Sequence, residues 1–308
     1  MRRGRSVRRR RRLALTVLVV AVAGLLAGSG LALDLSSGGG VALDPGAFAS
    51  GSCVTYPPTS GDRGETVFLD AGHGGVDPGG VGSTEAGRPL YESSVNLPIE
   101  LEAMQLLRAD GFRVAVSRTR DSSVVRLRRG DVSGGVLSLQ GAHDDVAARD
   151  VCANLAKADV LVGIYMDTGN SAQNGGSVTA YDADRSFSPA NLRLAGLIQK
   201  DVLAAMNAQG WDIPDGGVVP DGSVGSYVGS PTTPGLAAEA AAYGHLLLLG
   251  PAMSGFFSTP SEMPGAVIEP LYITDPFEAS IAASSRGQQV IARGLADAVE
   301  QFLSRPAR

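Results

Sequence analysis

Histidine, cysteine and, in the body of the chain, basic residues are scarce in this 308-residue sequence, which has three histidines and two cysteines. Eight of its 26 Lys and Arg residues are arginines within positions 2–12, which leaves 18 basic residues against 31 acidic ones. Because nucleic-acid binding relies on Lys and Arg to neutralise phosphates, the acidic body excludes a nucleic-acid partner. The sequence also lacks internal repeats and, after residue 33, any apolar run long enough to cross a bilayer.

A targeting segment forms the amino terminus. The arginine run is followed by residues 13–33, which contain no charged side chain. A positive flank before an apolar stretch is typical of a secretory signal, and about 20 apolar residues are also enough to span a bilayer. We therefore predict that residues 1–33 are a signal peptide or an N-terminal membrane anchor. The positive-inside rule places residues 1–12 in the cytoplasm and the working part of the chain outside it.

The two cysteines, Cys53 and Cys152, allow one disulfide. Export to an oxidising compartment favours that bond. Two unpaired buried thiols are the alternative, because an even count of two carries little information.

Composition divides the rest of the chain into two parts. Residues 34–63 are rich in Gly, Ser, Pro and Asp, which is typical of a linker or extracytoplasmic arm. In residues 64–305, strand-like and helix-like runs alternate, which predicts one α/β domain with a mostly parallel sheet flanked by helices. Two Gly-rich stretches, at 130–142 and 210–242, interrupt this pattern, and the apolar runs 246–249 and 266–269 predict the last strands.

The most informative segment is VFLDAGHGGVDPGG at positions 67–80. A short apolar run of strand type ends there in a glycine-rich turn that carries His73. Ligands of α/β proteins bind where strands end, and imidazole is the commonest metal ligand among side chains. The turn therefore predicts a metal-binding or catalytic position.

Other candidate groups also follow apolar runs or begin a helix. Glu92 precedes the first long helix, Tyr165 and Asp167 end the third predicted strand, which begins at Val160, and Glu269 ends the last one. An imidazole, two carboxylates and a further oxygen donor can form a zinc hydrolase site, with three metal ligands and one carboxylate acting as base.

Each of these residues also has a purely structural interpretation. His73 can be a hydrogen-bonding turn residue, and Glu92 an acid that the helix dipole favours at the first turn. Glu269 can form a salt bridge with an arginine such as Arg120, because an acid that closes an apolar strand needs a partner.

Several ordered motifs together resemble one known family, the zinc-dependent N-acetylmuramoyl-L-alanine amidases that act on bacterial peptidoglycan. The resemblance extends over about residues 66–303. Its motifs are LDAGHGGVDPG at 69–79, Glu92 with Val95-Asn96-Leu97, Ser117-Arg118-Thr119-Arg120-Asp121, Arg149 with Ala153-Asn154, Glu269, and the closing helix at 287–303.

This resemblance implies a zinc amidase fold of the phosphorylase/hydrolase-like kind and a peptidoglycan substrate. His73 and Glu92 would be zinc ligands, and Glu269 would be the general base. The bond cleaved would be the amide between the lactyl group of N-acetylmuramic acid and L-alanine.

One position departs from the family pattern. The family ends the third strand with a histidine that is its third zinc ligand, whereas this chain has Tyr165. The third ligand can be Tyr165, or Asp167 on the same side of the strand by period-two alternation, or a residue from elsewhere, or absent. His143 and His245 are the outside candidates, although His245 precedes the run 246–249 and would lie at the amino end of that strand.

Two functions are therefore expected from the sequence. The first is a metal-dependent amidase that acts on peptidoglycan outside the cytoplasm. The alternative is a catalytically impaired protein of the same fold that binds cell wall or regulates a partner. The sequence does not indicate an oligomeric state.

Overall fold

The parallel sheet expected from the alternating pattern is present in the computed structural model, which describes residues 39–224, 233 and 235–304. Strands within these residues are β1 (Val41–Ala42), β2 (Ser52–Tyr56), β3 (Thr66–Ala71), β4 (Val81–Ser83), β5 (Pro89–Tyr91), β6 (Arg113–Arg118), β7 (Val132–Ser133), β8 (Val136–Leu137), β9 (Val160–Ile164), β10 (Ser177–Tyr181), β11 (Asp215–Pro220) and β12 (Gly265–Glu269).

Eight of these strands form one sheet in the order β1-β2-β6-β3-β9-β12-β10-β11. The central strands β6, β3, β9 and β12 are parallel to one another, and β10 pairs antiparallel with β12. The carboxyl ends of β3, β9 and β12 therefore meet at one edge of the sheet, whereas those of β10 and β11 lie at the opposite edge.

Helices cover both faces of the sheet. They are α1 (Glu92–Ala109), α2 (Leu139–Leu155), α3 (Ser188–Asn207), α4 (Leu236–Tyr243), α5 (Pro276–Ala282) and α6 (Ser285–Leu303), with a 3-10 turn at Asp221–Ser223. Helix α6 packs against α1 and α3 on one face, and α2 packs on the other. None of the described helices is long and apolar enough to cross a membrane, and the predicted leader at residues 1–33 lies outside the described part of the chain.

Period-two alternation in β3 decides which side chains reach the site. Phe68 joins the apolar core beneath α2, and Asp70 shares its face because successive strand residues point to opposite sides. The fully buried carboxylate of Asp70 is thereby placed on the α2 side, three residues before His73. Its charge needs a partner, which α2 supplies through Arg149.

The prediction of a linker or arm over residues 34–63 is corrected for part of that segment. Strand β2 pairs antiparallel with β6, and β1 extends the sheet by pairing with β2. Cys53 on β2 is bonded to Cys152 on α2, so the predicted disulfide is confirmed. Composition hides this strand because it is five residues long and flanked by Gly- and Ser-rich loops.

Residues 246–249 were expected to form a strand and do not. They are buried in the core on the α2 side, but the Leu249 amide donates to the Leu246 carbonyl, which closes a turn. A four-residue apolar run indicates burial and does not distinguish a strand from a buried turn. Within the stretch 210–242, β11 adds a parallel edge strand next to β10.

Glu100 of α1 is a fully buried carboxylate beneath the sheet. Its Oε1 accepts hydrogen bonds from the Ala71 and Ser117 amides and from the Ser117 hydroxyl, whereas Oε2 has no partner. Burial raises the pKa of Glu100 to about 8; the charge of Arg118 opposes this rise, and the charge of Asp70 adds a smaller contribution to it. The native protein therefore holds a proton here at neutral pH that the unfolded chain releases.

Replacing Glu100 by glutamine should flatten the pH dependence of stability. In the native protein the group binds a proton between its ordinary pKa and about 8, so the free energy of unfolding falls as pH rises through that window. One proton corresponds to a slope of roughly 1 kcal/mol per pH unit. Urea unfolding from pH 5 to pH 9 measures the slope for wild type and variant, and equal slopes would contradict the assignment.

Candidate active site

His73 lies in a backbone conformation that side chains other than glycine rarely adopt, with φ at +61°. Two buried arginines hold this turn through its carbonyls. Arg118 donates to the carbonyls of Ala71 and Gly72, and Arg149 donates to those of Ala71 and His73. Such strain persists where the surrounding structure over-determines it, which is common at functional sites.

Both ring nitrogens of His73 face carboxylates. Nδ1 lies 2.9 Å from Oδ2 of Asp77, and Nε2 lies 3.1 Å from Oε2 of Glu92. All three side chains are buried. Burial alone would lower the pKa of His73, but the charges of Glu92 and Asp77 outweigh it and raise that pKa to about 10.

Glu92 is the first residue of α1, and its carboxylate reaches across the site. Oε2 accepts from the Gly80 amide at 2.8 Å, and Oε1 accepts from the Met166 amide at 2.9 Å. Burial would raise the pKa of Glu92, but His73 and these two amides hold it below the usual range. The carboxylate is therefore ionised and fixed, which goes beyond the helix-dipole role considered for it.

Two further carboxylates lie at the same edge of the sheet. Glu269 ends β12. Asp167 follows β9, and its carboxylate accepts a hydrogen bond from the Tyr272 hydroxyl. Withdrawal from water raises the pKa of Glu269 well above its usual range, and the charges of Asp167 and Glu92 add to the effect.

No Lys or Arg of the described residues lies within 4.0 Å of the Glu269 carboxylate. Arg120, the salt-bridge partner considered for it, donates instead to the Ser50 carbonyl. Glu269 therefore has no Lys or Arg as a counter-ion among the described residues, and it lies near Asp167, Glu92 and His73. Glu269 is partly buried, and an acid in such surroundings is a functional candidate, because withdrawal from water without a partner disfavours its charge.

Tyr165 is next to His73 but is bonded to another group. The two rings meet edge to face with centroids 5.5 Å apart, and the Tyr165 hydroxyl donates to Oδ2 of Asp70 at 2.8 Å. Burial, together with the charge of Asp70, raises the pKa of this phenol well above its ordinary value. Tyr165 is therefore a neutral hydrogen-bond donor, and this geometry does not support the metal-ligand role considered for it.

Tyr165 and Asp167 also have different partners, although period-two alternation placed them on the same side. Strand β9 ends at Ile164, and the backbone continues to pair with β12 and the segment after it through the amides of Tyr165 and Asp167. A side chain at Gly72 would collide with the Tyr165 ring, since a Cβ there would lie 2.0 Å from Cε1. The glycine before His73 thus makes room for the tyrosine.

The two outside histidines lie in other surroundings. The ring of His143, on α2, packs edge to face against Phe256 and Phe257. His245 lies with Asp182 and Asp221 in a group whose ligand atoms are all within 4.8 Å of one another, close enough to hold one metal ion. Burial and the neighbouring charge of Asp182 raise the pKa of Asp221 to about 6.

Three residues of the site were not anticipated as functional. Asp77 orients the His73 ring, and Asp70 and Asp145 bind the guanidinium of Arg149 at 2.6 Å and 2.9 Å. A carboxylate four residues after a candidate ligand in a tight turn is a local signal that could have revealed Asp77. The pairing of Arg149 with Asp70 joins α2 to β3 across 79 residues, and no local pattern encodes it.

Known proteins share sequence and fold with this chain. Residues 67–301 match the family model described as N-acetylmuramoyl-L-alanine amidase. The N-acetylmuramoyl-L-alanine amidase LytC of Bacillus subtilis is 31% identical over 147 residues, a match that covers 47% of this chain and 24% of LytC. The uncharacterized protein YqiI of the same organism is 27% identical over 147 residues, covering 48% of this chain and 58% of YqiI.

A solved structure shares the fold. The crystal structure of an N-acetylmuramoyl-L-alanine amidase from Clostridium difficile is 24% identical, with a TM-score of 0.52, and the match covers 79% of this chain and 98% of that one. The likeness at this identity concerns the fold alone. The chain spans less than two thirds of the length of the curated relatives named above.

Proposed function

This chain belongs to the N-acetylmuramoyl-L-alanine amidase family, and we propose that it hydrolyses the amide bond between N-acetylmuramic acid and L-alanine in peptidoglycan. The observation that carries the proposal is the pairing of His73 Nε2 with the Glu92 carboxylate at 3.1 Å, beside the unpaired carboxylate of Glu269. These groups come from three different elements and converge where the parallel strands end.

The His73–Glu92 pair fits a divalent cation, and we assign zinc. Zn–N and Zn–O bonds of about 2.0–2.2 Å place two neighbouring ligands of one cation about 3–3.5 Å apart, and the observed separation falls in that range. Asp77 at Nδ1 orients the ring so that Nε2 is the ligand atom, in the manner of carboxylate–histidine–zinc triads. Asp167 is our third ligand, because the Tyr165 hydroxyl is bonded to Asp70.

The chemistry divides between the cation and the carboxylates. A cation held by His73, Glu92 and Asp167 would polarise the scissile carbonyl and acidify the attacking water. Glu269 would act as the base: it would take one proton from the attacking water as the carbon–oxygen bond forms, and deliver it to the leaving amine as the carbon–nitrogen bond breaks. The products are a lactyl carboxylate and the free amino group of L-alanine.

A carboxylate in place of the family's third histidine changes the charge of the site. One imidazole and two carboxylates make the set neutral around a dication, whereas two imidazoles and one carboxylate leave a net positive charge. A neutral set acidifies water less. We therefore expect slower hydrolysis, or a different metal preference, than in a relative with two histidines.

The substrate requires export, and we assign residues 1–33 to that role as a signal peptide or membrane anchor. Amino-terminal sequencing of the protein recovered from cell envelopes separates the two forms. A mature chain that begins near residue 34 indicates cleavage, and an intact chain that needs detergent for extraction indicates an anchor. Recovery of the intact chain from cytosol without detergent would contradict both.

Metal analysis and peptidoglycan digestion of the purified full chain test the proposed function. We expect wild type to hold zinc and to release peptide stems with new amino-terminal L-alanine. Tyr165→His should increase the rate several-fold by supplying a second imidazole as the third ligand. Tyr165→Phe is the matched control, and it should leave zinc content unchanged because the hydroxyl is bonded to Asp70.

The same experiment distinguishes the amidase from the alternative function, an impaired protein that binds cell wall. The presence of Tyr165 favours that alternative. Equal zinc content in wild type and His73→Ala, with no release by wild type and release restored by Tyr165→His, would replace the amidase proposal by that alternative. Loss of zinc in Tyr165→Phe would instead make Tyr165 a ligand and overturn our third-ligand assignment.

A further inference from the structure

A second group of ligand-type side chains lies outside the site described above. Nδ1 of His245 is 2.9 Å from Oδ2 of Asp182 and 3.5 Å from Oδ1 of Asp221. The three residues come from separate segments, which are the end of β10, the 3-10 turn after β11, and the turn after α4. The three residues each offer a ligand atom, and these atoms all lie within 4.8 Å of one another, close enough to bind one metal ion.

Two atoms of this group are buried without a hydrogen bond. Asp182 has no exposed surface, and its Oδ2 has no hydrogen-bond partner although it faces Nδ1 of His245, which also has none. The pair meets the distance of a hydrogen bond but not its direction. A buried polar atom without a partner is uncommon in native proteins, and an ion that both atoms bind would satisfy them.

The backbone already fixes the two carboxylates. Oδ1 of Asp182 accepts from the amides of Asp184 and Arg185, which leaves Oδ2 directed into the group. Oδ2 of Asp221 accepts from the Leu246 amide at 2.9 Å, so this carboxylate binds the segment that carries His245. Such outer contacts orient ligands before a metal arrives.

The charge of the group also favours a cation. Among the described residues, no Lys or Arg lies within 4.0 Å of the Asp182 or Asp221 carboxylates. The nearby guanidinium of Arg185 is bonded to the carbonyls of Leu249, Gly250 and Ser261. Two adjacent carboxylates with a neutral imidazole carry two negative charges, which one dication neutralises.

The group is remote from the catalytic edge of the sheet. Strand β10 runs antiparallel to β12, with Val178 opposite Glu269 and Ala180 opposite Val267. The same register places Asp182 level with Gly265, at the amino end of β12. Four residues of strand separate that end from Glu269, which corresponds to about 13 Å.

We propose that Asp182, Asp221 and His245 form a structural binding site for one divalent metal ion, zinc by the chemistry of its donors. Imidazole nitrogen with carboxylate oxygen suits zinc better than magnesium, which prefers oxygen ligands alone. His245 is 19% exposed, so water can complete the coordination. The exposed carboxylate of Asp184 lies 3.8 Å from the other ring nitrogen of His245, where an outer partner of a metal-bound histidine is found.

Such an ion would connect three segments at this end of the strands. It would join the end of β10, the turn after β11 and the segment that leads into the buried turn at 246–249. The disulfide between Cys53 and Cys152 connects the amino-terminal strands to α2 and does not connect these segments.

Zinc counting in variants of the full chain tests the site separately from catalysis. The background is His73→Ala, which removes a ligand of the catalytic site, so that its zinc does not mask the second ion. After treatment with a chelator, this variant should take up one zinc per chain and melt at a higher temperature with zinc than without. Adding His245→Ala should abolish both the uptake and the shift, and magnesium should produce neither.

His143→Ala in the same background is the matched control. Like His245, His143 packs against an aromatic ring, but it has only one carboxylate nearby, that of Asp144 at 3.8 Å. This control should keep the zinc and the shift. Asp182→Asn should weaken zinc binding by more than the roughly 10- to 100-fold typical of outer-shell changes, while Oδ1 still accepts its backbone bonds. No uptake by His73→Ala, or full uptake after the loss of His245, would overturn the second site and leave the catalytic proposal untouched.

Discussion

Glu269→Gln should reduce the release of peptide stems from peptidoglycan by at least about a hundredfold, because general acid–base groups contribute about 10²–10⁴-fold to a rate. The amide has nearly the shape of the carboxylate but cannot take a proton from water. The fold should not suffer, because Glu269 has no counter-ion among the described residues and its ionised form is disfavoured. We expect the melting temperature to stay the same or to rise.

The combination of lost activity and retained stability identifies a functional carboxylate. A side chain that only holds the fold would lose both together. Glu262→Gln, a neighbouring exposed glutamate, is the matched control and should leave the rate unchanged. Zinc content should stay at the wild-type level in Glu269→Gln, since we assign this residue as base and not as ligand. Retention of more than a tenth of the rate would remove Glu269 from the mechanism.

Arg149→Met should destabilise the protein by about 3–5 kcal/mol, the cost typical of breaking a buried ion pair by removing one partner. The Arg149 guanidinium is 1% exposed and binds both Asp70 and Asp145. Methionine is similar in length to the aliphatic part of arginine, but it leaves these two carboxylates buried without their cation. It also removes the donors to the carbonyls of Ala71 and His73, so the strained turn loses one of its two supports.

Denaturant unfolding measures this loss. Arg193→Met is the control, because Arg193 is exposed and also donates to backbone carbonyls, those of Gln301 and Phe302. We expect less than about 1 kcal/mol there, as is usual for surface contacts. Equal stability of wild type and Arg149→Met would contradict the assignment of Arg149 as the counter-ion that Asp70 and Asp145 need.

Much of the candidate site could be read from the sequence, because its chemistry is encoded locally. The turn that carries His73 combines an apolar strand with glycines, and these short-range features do not depend on the rest of the fold. Glu92 and Glu269 each stand at the boundary of a helix or strand, where the pattern itself changes. The roles assigned to these residues remain proposals, and the structure adds that the side chains of His73 and Glu92 meet.

Other features depended on pairing between distant segments. The hydroxyl of Tyr165 is bonded to Asp70, which lies 95 positions earlier, and no periodicity links the two. Strand β2 was interpreted as part of a linker because its only recognisable feature is its register with β6. His245 was set aside on the expectation of a strand at 246–249, and the turn found there brings it to Asp182 and Asp221.

The sequence by itself determined the α/β class, the mostly parallel sheet and the turn around His73, because short-range periodicity and turn chemistry specify them, and the order of its motifs carried the resemblance to the family. The tertiary structure decided that Tyr165 donates a hydrogen bond to Asp70, that two buried arginines hold the strained turn, and that Asp182, Asp221 and His245 lie together at the opposite end of the strands. These outcomes depend on which charged groups burial brings together. Away from water each buried charge needs a partner, and only the folded chain determines which partner is near.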